Sequence, residues 1–256
     1  TGSVIEAFRD SVNNWDRGKS LNDIYKNILY KKGNLEMNYN SDIRKVTSDF
    51  IIDDINCAFE IWEKSLWKDS ISFNMFKEYI LPYSVSTNQP LVAWRQSLHD
   101  SYYPMIEGVK SPKEAFDIIY NYIIKEFKHI GILKPSYIAD PLIANEVMMG
   151  NCDMRTMLIV SVARSLCIPS AYDYVSYWAN CSSMGHSWAV FIDNNEQAYF
   201  FSKYDTKSYN SGAIDASYFP SDLDYKDDNL PFTVDSIKKV SKVMRYIYKA
   251  NLSNNI

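Results

Sequence analysis

The sequence predicts an α+β protein in which helices come first and an antiparallel sheet follows. Apolar residues recur at helical spacing through most of the chain before residue 168. After that point the pattern changes to short segments that are rich in aromatic and β-branched residues and are separated by turn-forming residues. A single helix that begins at Cys152 stands between the two regions. The predicted order is therefore a helical N-terminal region, one helix headed by a cysteine, and then strands.

The first predicted helix lies within residues 41–67, with Ser41 as its N-cap. The apolar side of this helix comprises Val46, Phe50, Ile51, Ile55, Ala58, Phe59 and Trp62. The segment that follows, 73–98, predicts a shorter helix broken at Pro82, then a loop, then a further helix. The N-terminal region is thus expected to consist of helices joined by loops.

A clearer helix is predicted over residues 111–127. Ser111 provides the N-cap, Pro112 occupies the first helical position, and Glu114 completes a capping box. The inner side of this helix comprises Phe116, Ile119, Tyr120, Ile123 and Phe127. These signals are local, so they predict the start of the helix directly.

Three consecutive strands are predicted within residues 170–178, 186–193 and 197–205. Asn194 and Asn195 form the turn between the second and third of them. The segment 235–248 fits either a helix or a pair of strands. The three strands are expected to lie side by side in one antiparallel sheet.

Composition excludes several classes of function. The chain has 256 residues, of which 46% are hydrophobic and 23% charged, and its net charge is −4 with no basic stripe, so nucleic acid is not an expected partner. No apolar run approaches the ~20 residues of a membrane span, and a soluble chain without a transmembrane segment is expected. The opening segment "TGSVIEAFRD" is not a signal peptide, and localisation cannot be read from it. The aromatic fraction of 15% suits a surface that binds peptide or sugar, although most such rings fill cores.

Four cysteines occur, at positions 57, 152, 167 and 181, and none is in a close pair. A zinc site normally uses closely spaced ligand pairs, so no metal is expected, and nothing in the sequence requires a cofactor. A disulfide among Cys57, Cys167 and Cys181 remains open, since the sequence does not select a pair.

Cys152 is a candidate nucleophile because of its place at the start of the predicted helix. Unpaired backbone N–H groups and the helix dipole there favour an anion, so the thiol is expected to have a lowered pKa. Gly150 would let a substrate approach the backbone closely. The N–H groups at the helix start, including that of Cys152, could also stabilise an oxyanion.

A thiol nucleophile needs an imidazole that accepts and returns its proton. The chain has three histidines, of which His99 and His129 lie near predicted helix ends, where histidine commonly caps carbonyls. His186 opens a strand directly after Gly185, a position from which its ring can face a cleft. His186 is therefore the predicted partner of Cys152.

The imidazole in turn needs an acceptor that orients it. Asp205 is predicted to close the third strand, and the end of that strand returns beside the start of the second in an antiparallel hairpin. Asp193, at the other end of the hairpin, is predicted to be a turn residue. Asp173 is the next candidate should Asp205 lie on the opposite side of the sheet from His186.

Three stretches resemble the transglutaminase-like superfamily, whose papain-like folds include transglutaminases, peptide N-glycanases and bacterial cysteine proteases. They are "GNCDMRTMLIVSVARSLCIP", "HSWAVFID" and "KYDTK". The resemblance implies that Cys152 is the nucleophile, His186 the base and Asp205 the orienting carboxylate. It further implies a papain/transglutaminase-like core over residues 110–215, with a helical N-terminal region (1–109) packed on it. The remaining segment, 216–256, is then a C-terminal extension without an assigned role.

The resemblance also implies acyl transfer from an amide without a cofactor. The favoured reading is hydrolysis of a peptide or side-chain amide by a protease or amidase, with a peptide, protein or glycopeptide as substrate. Two alternatives remain in the same chemistry, a transglutaminase and a peptide N-glycanase-type amidase that cleaves the glycan–asparagine bond. A third alternative is a non-catalytic module that binds peptide or glycan.

A looser resemblance, carried by "FKEYILPYSVSTNQPLVAWR" and "AYDYVSYWANCSSMGHSW", points to a Bacteroidetes branch of exported lipoproteins. It implies a periplasmic or cell-surface location and a lipid anchor upstream of this chain. In the superfamily the oxyanion donor is often Trp or Gln, so Trp94, Gln89 and Trp178 are all candidates. Cys167 replaces the glycine that usually ends the nucleophile helix in a left-handed conformation, which predicts a different termination here.

Overall fold

The computed structural model of the chain describes residues 44–87, 89–129, 140–175, 186–202, 205–210, 243–247 and 252–255. Its helices are α1 (Ser48–Lys64), α2 (Phe73–Tyr79), α3 (Arg95–Tyr102), α4 (Pro112–Glu126), α5 (Pro141–Val147) and α6 (Cys152–Ser165), with 3-10 turns at Lys68–Ser70 and Tyr103–Met105. Its strands are β1 (Lys128–His129), β2 (Met149–Gly150), β3 (Ser170–Val175), β4 (His186–Ile192), β5 (Ala198–Ser202), β6 (Asp205–Asn210), β7 (Met244–Ile247) and β8 (Leu252–Asn255). The α+β class predicted from the sequence is confirmed.

The helix starts follow their capping side chains. The hydroxyl of Ser111 accepts a hydrogen bond from the N–H of Glu114 at 3.4 Å, which confirms the predicted cap of α4. The prediction for α1 is wrong, because that helix begins at Ser48 and not after Ser41. Thr47 is its N-cap, and the hydroxyl of Thr47 accepts a hydrogen bond from the N–H of Phe50 at 3.2 Å. The capping residue is therefore Thr47, six positions after the predicted Ser41.

The six strands β3 to β8 form one antiparallel sheet in the order β6-β5-β4-β3-β7-β8. The three predicted strands correspond to β3, β4 and β5. Asp193 forms the turn between β4 and β5, where its carboxylate accepts from the N–H groups of Asn195 and Gln197, both at 2.9 Å. One detail was wrong: Asp205 does not close β5 but opens β6, and its backbone pairs with Ser202.

Strand β7 lies in the sheet between β3 and β8. It belongs to the segment 216–256, which was predicted to be a C-terminal extension without an assigned role. Its pairing aligns Arg245 with Asp173, and the two side chains form a bidentate ion pair with both N–O distances at 2.7 Å. The sheet therefore continues past the predicted core boundary at residue 215. Within 235–248, the described part is a strand and not a helix.

Helix α6 is the centre of the core. Residues 156–165 are all buried, and the helix packs against α3, α4 and α5 as well as β3 and β4. One continuous apolar cluster runs from Ala58 in α1 to Val243 beside β7. The helices before α6 and the sheet after it thus share a single core. No helix in the described ranges is both long and apolar enough to cross a membrane.

The end of α6 differs from its prediction. Cys167 adopts the left-handed conformation, with φ at 58°, and occupies the position where helices commonly carry glycine. The N–H of Cys167 donates to the carbonyl of Arg164 at 3.2 Å, and that of Ile168 to Ala163 at 2.9 Å. This is the hydrogen-bond pattern of a Schellman motif, so α6 ends in the left-handed conformation with a cysteine at the position where glycine is common.

The loop after α2 is held through five consecutive carbonyls. Buried Arg95 donates to Ile80 and Leu81, at 3.0 and 2.8 Å. Buried Arg164 of α6 donates to Pro82 and Ser84, at 3.5 and 3.0 Å. The indole N–H of Trp94 donates to Tyr83 at 2.9 Å. These contacts fix the loop against the start of α3 and against α6.

Candidate active site

Cys152 is the first residue of α6 and is only partly exposed. Asn151 caps the helix, since its side-chain oxygen accepts from the N–H of Met154 at 3.0 Å. Gly150 precedes the cap in a tightly packed position, where a Cβ would lie 2.5 Å from the sulfur of Met154. Packing of Gly150 in β2 against Met154 of α6 thus explains this glycine without reference to a substrate.

A carboxylate lies directly beside the thiol. One oxygen of Asp153 accepts hydrogen bonds from the hydroxyls of Tyr172 in β3 and Ser187 in β4, at 2.7 and 2.9 Å. The sulfur of Cys152 is 4.0 Å from the same oxygen. The sequence did contain a signal for this network, because Asp153 adjoins Cys152 and Ser187 adjoins His186, yet neither was predicted as a site residue.

The pKa of the Cys152 thiol is raised, which contradicts the lowering expected at a helix start. Burial is the main cause, and the negative charge of Asp153 adds to it. Hydrogen bonding from the backbone and hydroxyl of Ser187 and the positive charge of Arg155 oppose this increase without overcoming it. The thiol is therefore protonated near neutral pH.

His186 opens β4 as predicted and is largely buried. Burial lowers the pKa of its imidazole to about 4, and the positive charge of Arg155 and that of His129 in its protonated form act in the same direction, whereas Asp153 opposes them. Cys152 and His186 are thus both under the electrostatic influence of Asp153 and Arg155. Cys152 at the start of α6 and His186 at the start of β4 thus place a neutral thiol and a neutral imidazole at the same end of the sheet.

His129 lies at this site as well, contrary to its assignment as a helix cap. Helix α4 ends at Glu126, and His129 belongs to β1, where it pairs with Gly150 of β2, two residues before Cys152. Partial burial of its ring and the charge of Arg155 lower its pKa. His99 lies elsewhere, in α3, where its ring stacks on Tyr103 at 5.1 Å between centroids.

The backbone of Asp205 lies at the end of the sheet where β4 begins. Strand β5 runs antiparallel to β4, with Val190 paired with Phe200, so the Ser202 end of β5 lies toward the start of β4. Asp205 is paired with Ser202. The side chain of Asp205 lies outside the described part of the chain, so its contact with His186 stays a prediction.

The remaining predicted site residues have these positions. The N–H of Trp94 and the carboxylate of Asp173 are already engaged, with Tyr83 and Arg245 respectively, and both residues are buried. The side-chain oxygen of Gln89 accepts from the N–H of Val85 at 2.8 Å. Trp178 and Cys181 lie outside the described residues. Cys57 and Cys167 have free thiols, so they do not form a disulfide with each other.

Three tyrosines extend the site along the sheet. Tyr246 stacks on Tyr174 at 4.9 Å between ring centroids and contacts Tyr172 at 5.3 Å. The Tyr246 hydroxyl is 3.1 Å from the hydroxyl of Thr87, in the loop that precedes α3. Because Tyr172 also binds Asp153, the aromatic cluster connects this loop to the candidate nucleophile. The high tyrosine content was the only sequence signal for it.

Comparison with known proteins gives little beyond this geometry. No family model matches the chain, and no curated protein matches it. A solved structure described as "a Putative Cysteine Protease from Cytophaga hutchinsonii" matches with 14% identity and a TM-score of 0.38, over 44% of this chain and 38% of that one. Another, "a putative protease from Parabacteroides distasonis", matches with 9% identity and a TM-score of 0.35, over 59% of this chain and 26% of that one. The matches thus span well under two thirds of either solved chain.

Proposed function

We propose that the protein is a cysteine-dependent amide hydrolase, a protease or amidase, with a papain-like core of the transglutaminase-like kind. Cys152 is the nucleophile, His186 the general base and Asp205 the carboxylate that orients the imidazole. One observation carries the proposal: the first residues of α6 lie beside the first residues of β4. There the hydroxyl of Ser187 and the sulfur of Cys152 both face one oxygen of Asp153, at 2.9 and 4.0 Å, and His186, the chain neighbour of Ser187, is under the influence of Asp153 and Arg155.

Before a substrate binds, the thiol of Cys152 and the imidazole of His186 are both neutral, and this determines the order of proton transfer. Because burial and Asp153 disfavour the thiolate, the proton leaves Cys152 only as its sulfur attacks the amide carbonyl. His186 accepts that proton and then donates it to the departing amine, which leaves an acyl thioester on Cys152. Water resolves the thioester, and the imidazole again acts as the base.

The start of α6 supplies donors for the oxyanion. Asn151 occupies the N–H of Met154 with its side chain and the N–H of Arg155 with its carbonyl. The N–H groups of Cys152 and Asp153 have no hydrogen-bond acceptor among the described residues, as expected for the first positions of a helix. We assign the oxyanion to these N–H groups, with Gln89 and Trp178 as candidates for a further donor.

Incubation with a mixed library of peptides and glycopeptides, read by mass spectrometry, tests the proposal. The wild-type protein should release new amine ends, and rapid acid quenching should trap an acyl adduct on Cys152. Cys57→Ala is the matched control, since it removes a partly buried thiol next to Gln96 and should change neither result. Release of ammonia or of a glycosylamine would identify the other amidase chemistries. Equal binding by wild type and Cys152→Ser without turnover would leave only a binding module.

The pH profile of kcat/KM should reflect the low pKa of His186. A general base works in its unprotonated form, so an imidazole whose pKa is lowered to about 4 stays active well below pH 6.5. We expect a plateau from about pH 5 upward and an acidic limb near pH 4. Arg155→Met, which removes one of the charges that lower this pKa, should move the limb to higher pH. An acidic limb at pH 6.5 in the wild type would contradict the burial of the imidazole.

A further inference from the structure

Among the residues that the structure describes, Arg155 differs from the buried arginines Arg95, Arg164 and Arg245 in that its guanidinium has no hydrogen-bond or ion-pair partner. Arg95 pairs with Asp54 at 3.0 Å, Arg245 pairs with Asp173, and Arg164 donates to backbone carbonyls. Arg155 is half-buried, yet its guanidinium makes no ion pair or hydrogen bond with any residue in the described ranges. A partly desolvated guanidinium gains from an anion that supplies the missing contacts.

Arg155 lies on the same side of α6 as the candidate nucleophile. Arg155 follows Cys152 by three positions in α6, and residues at this spacing lie on the same side of a helix. Its charge acts on Cys152, His186 and His129. An anion bound by Arg155 would therefore lie beside the reacting thiol.

The nearest carboxylate in the sequence does not neutralise Arg155. One oxygen of Asp153 is occupied by the hydroxyls of Tyr172 and Ser187, and the other accepts from the side chain of Asn151 at 3.4 Å. These contacts hold Asp153 toward the sheet. As far as the described residues go, the positive charge of Arg155 thus stays available to a ligand.

His129 supplies a second donor at the same place. The pairing of β1 with β2 sets it beside Gly150, and the residue is exposed. Its ring is neutral near pH 7 because its pKa is lowered, so it offers a hydrogen bond without adding charge. Arg155 and His129 together present one positive charge, which matches a carboxylate better than a phosphate dianion.

We propose that Arg155 and His129 form a carboxylate-binding subsite beside Cys152. This inference rests on the proposed function in one respect: it makes the preferred substrate an amide with a carboxylate near the scissile bond, on an acidic side chain or at a chain end. Arg155 binds the carboxylate through its guanidinium, and His129 contributes the neighbouring hydrogen bond. The anion subsite itself requires no turnover.

Iodoacetate and iodoacetamide form a matched pair of probes for this subsite. In both, the sulfur of Cys152 forms a bond to carbon and displaces iodide, while the thiol proton passes to a base. Only iodoacetate carries a carboxylate, so the ratio of the two rates cancels the intrinsic reactivity of the thiol. We expect this ratio at Cys152 to exceed that of N-acetylcysteine by about tenfold or more, the effect of a charge-assisted contact.

Arg155→Met should return the ratio to the N-acetylcysteine value, whereas Arg155→Lys should keep most of the preference because the charge remains. Lys64→Met, which removes an exposed cation from α1, is the control for net charge and should leave the ratio unchanged. Succinate, but not succinamide, should slow alkylation of wild-type Cys152 by iodoacetamide, which tests the subsite without any substitution.

The outcomes separate this inference from the proposed function. A raised ratio that falls in Arg155→Met supports the subsite even if no amide is ever cleaved. A wild-type ratio equal to that of N-acetylcysteine, or one unaffected by Arg155→Met, overturns the subsite even if the protein cleaves amides through Cys152.

Discussion

Cys152→Ala and His186→Ala are each expected to lower kcat/KM by about 10⁴-fold or more, and the double variant should lose little beyond either one. Residues that act as one unit in catalysis are strongly non-additive, because the thiol cannot attack without its base and the base has no task without the thiol. Asp205→Ala should have a smaller effect, since an imidazole that is poorly oriented still accepts a proton. Steady-state kinetics on one cleaved amide measures all four variants.

The matched controls are a cysteine and a histidine outside the site. Cys57→Ala removes a thiol that contacts Gln96, and His99→Ala removes a ring that stacks on Tyr103, so both should retain wild-type kcat/KM. Cys152→Ser should melt at nearly the wild-type temperature, because a partly exposed thiol contributes little packing. Independent, multiplicative losses for Cys152→Ala and His186→Ala would argue that the two side chains do not act together.

The parts of the fold that were predictable are those with local signals. Ser111 and Pro112 identify the start of α4 because a cap acts on N–H groups within three residues of it. The alternation of β4 and the Asp193 turn are equally local. The candidate thiol and imidazole followed from the same signals, since Cys152 begins a helix and His186 begins a strand.

The features of the fold that were not predictable depend on contacts between residues that are distant in the sequence. The strand β1 is two residues long and is defined by its pairing with β2, so nothing near His129 could show that it lies beside Gly150. The position of β7 depends likewise on the pairing of Arg245 with Asp173. The sign of the pKa shift of Cys152 was wrong because helix position was weighed without burial, and burial is the larger effect.

Asp173 illustrates how a candidate orienting carboxylate can have a structural role. It aligns with Arg245 across β3 and β7, and their side chains are 1% and 6% exposed. The two neighbours of Asp173 in β3 are tyrosines: Tyr172 donates a hydrogen bond to Asp153, and Tyr174 stacks on Tyr246. Loss of this ion pair should therefore affect the stability of the fold on which the site is built.

Asp173→Ala is expected to lower the free energy of unfolding by about 3–5 kcal/mol, because it leaves the buried guanidinium of Arg245 without its counter-ion. Asp173→Leu combined with Arg245→Met should cost less than the sum of the two single changes, since no buried charge then remains unpaired. Urea denaturation at constant m-value measures each difference. Asp117→Ala is the control: it breaks the more exposed pair with Lys113, at 2.8 Å, and should cost less than about 1 kcal/mol. Additive single changes, or an Asp173→Ala variant as stable as the control, would show that this ion pair does not hold β7 in the sheet.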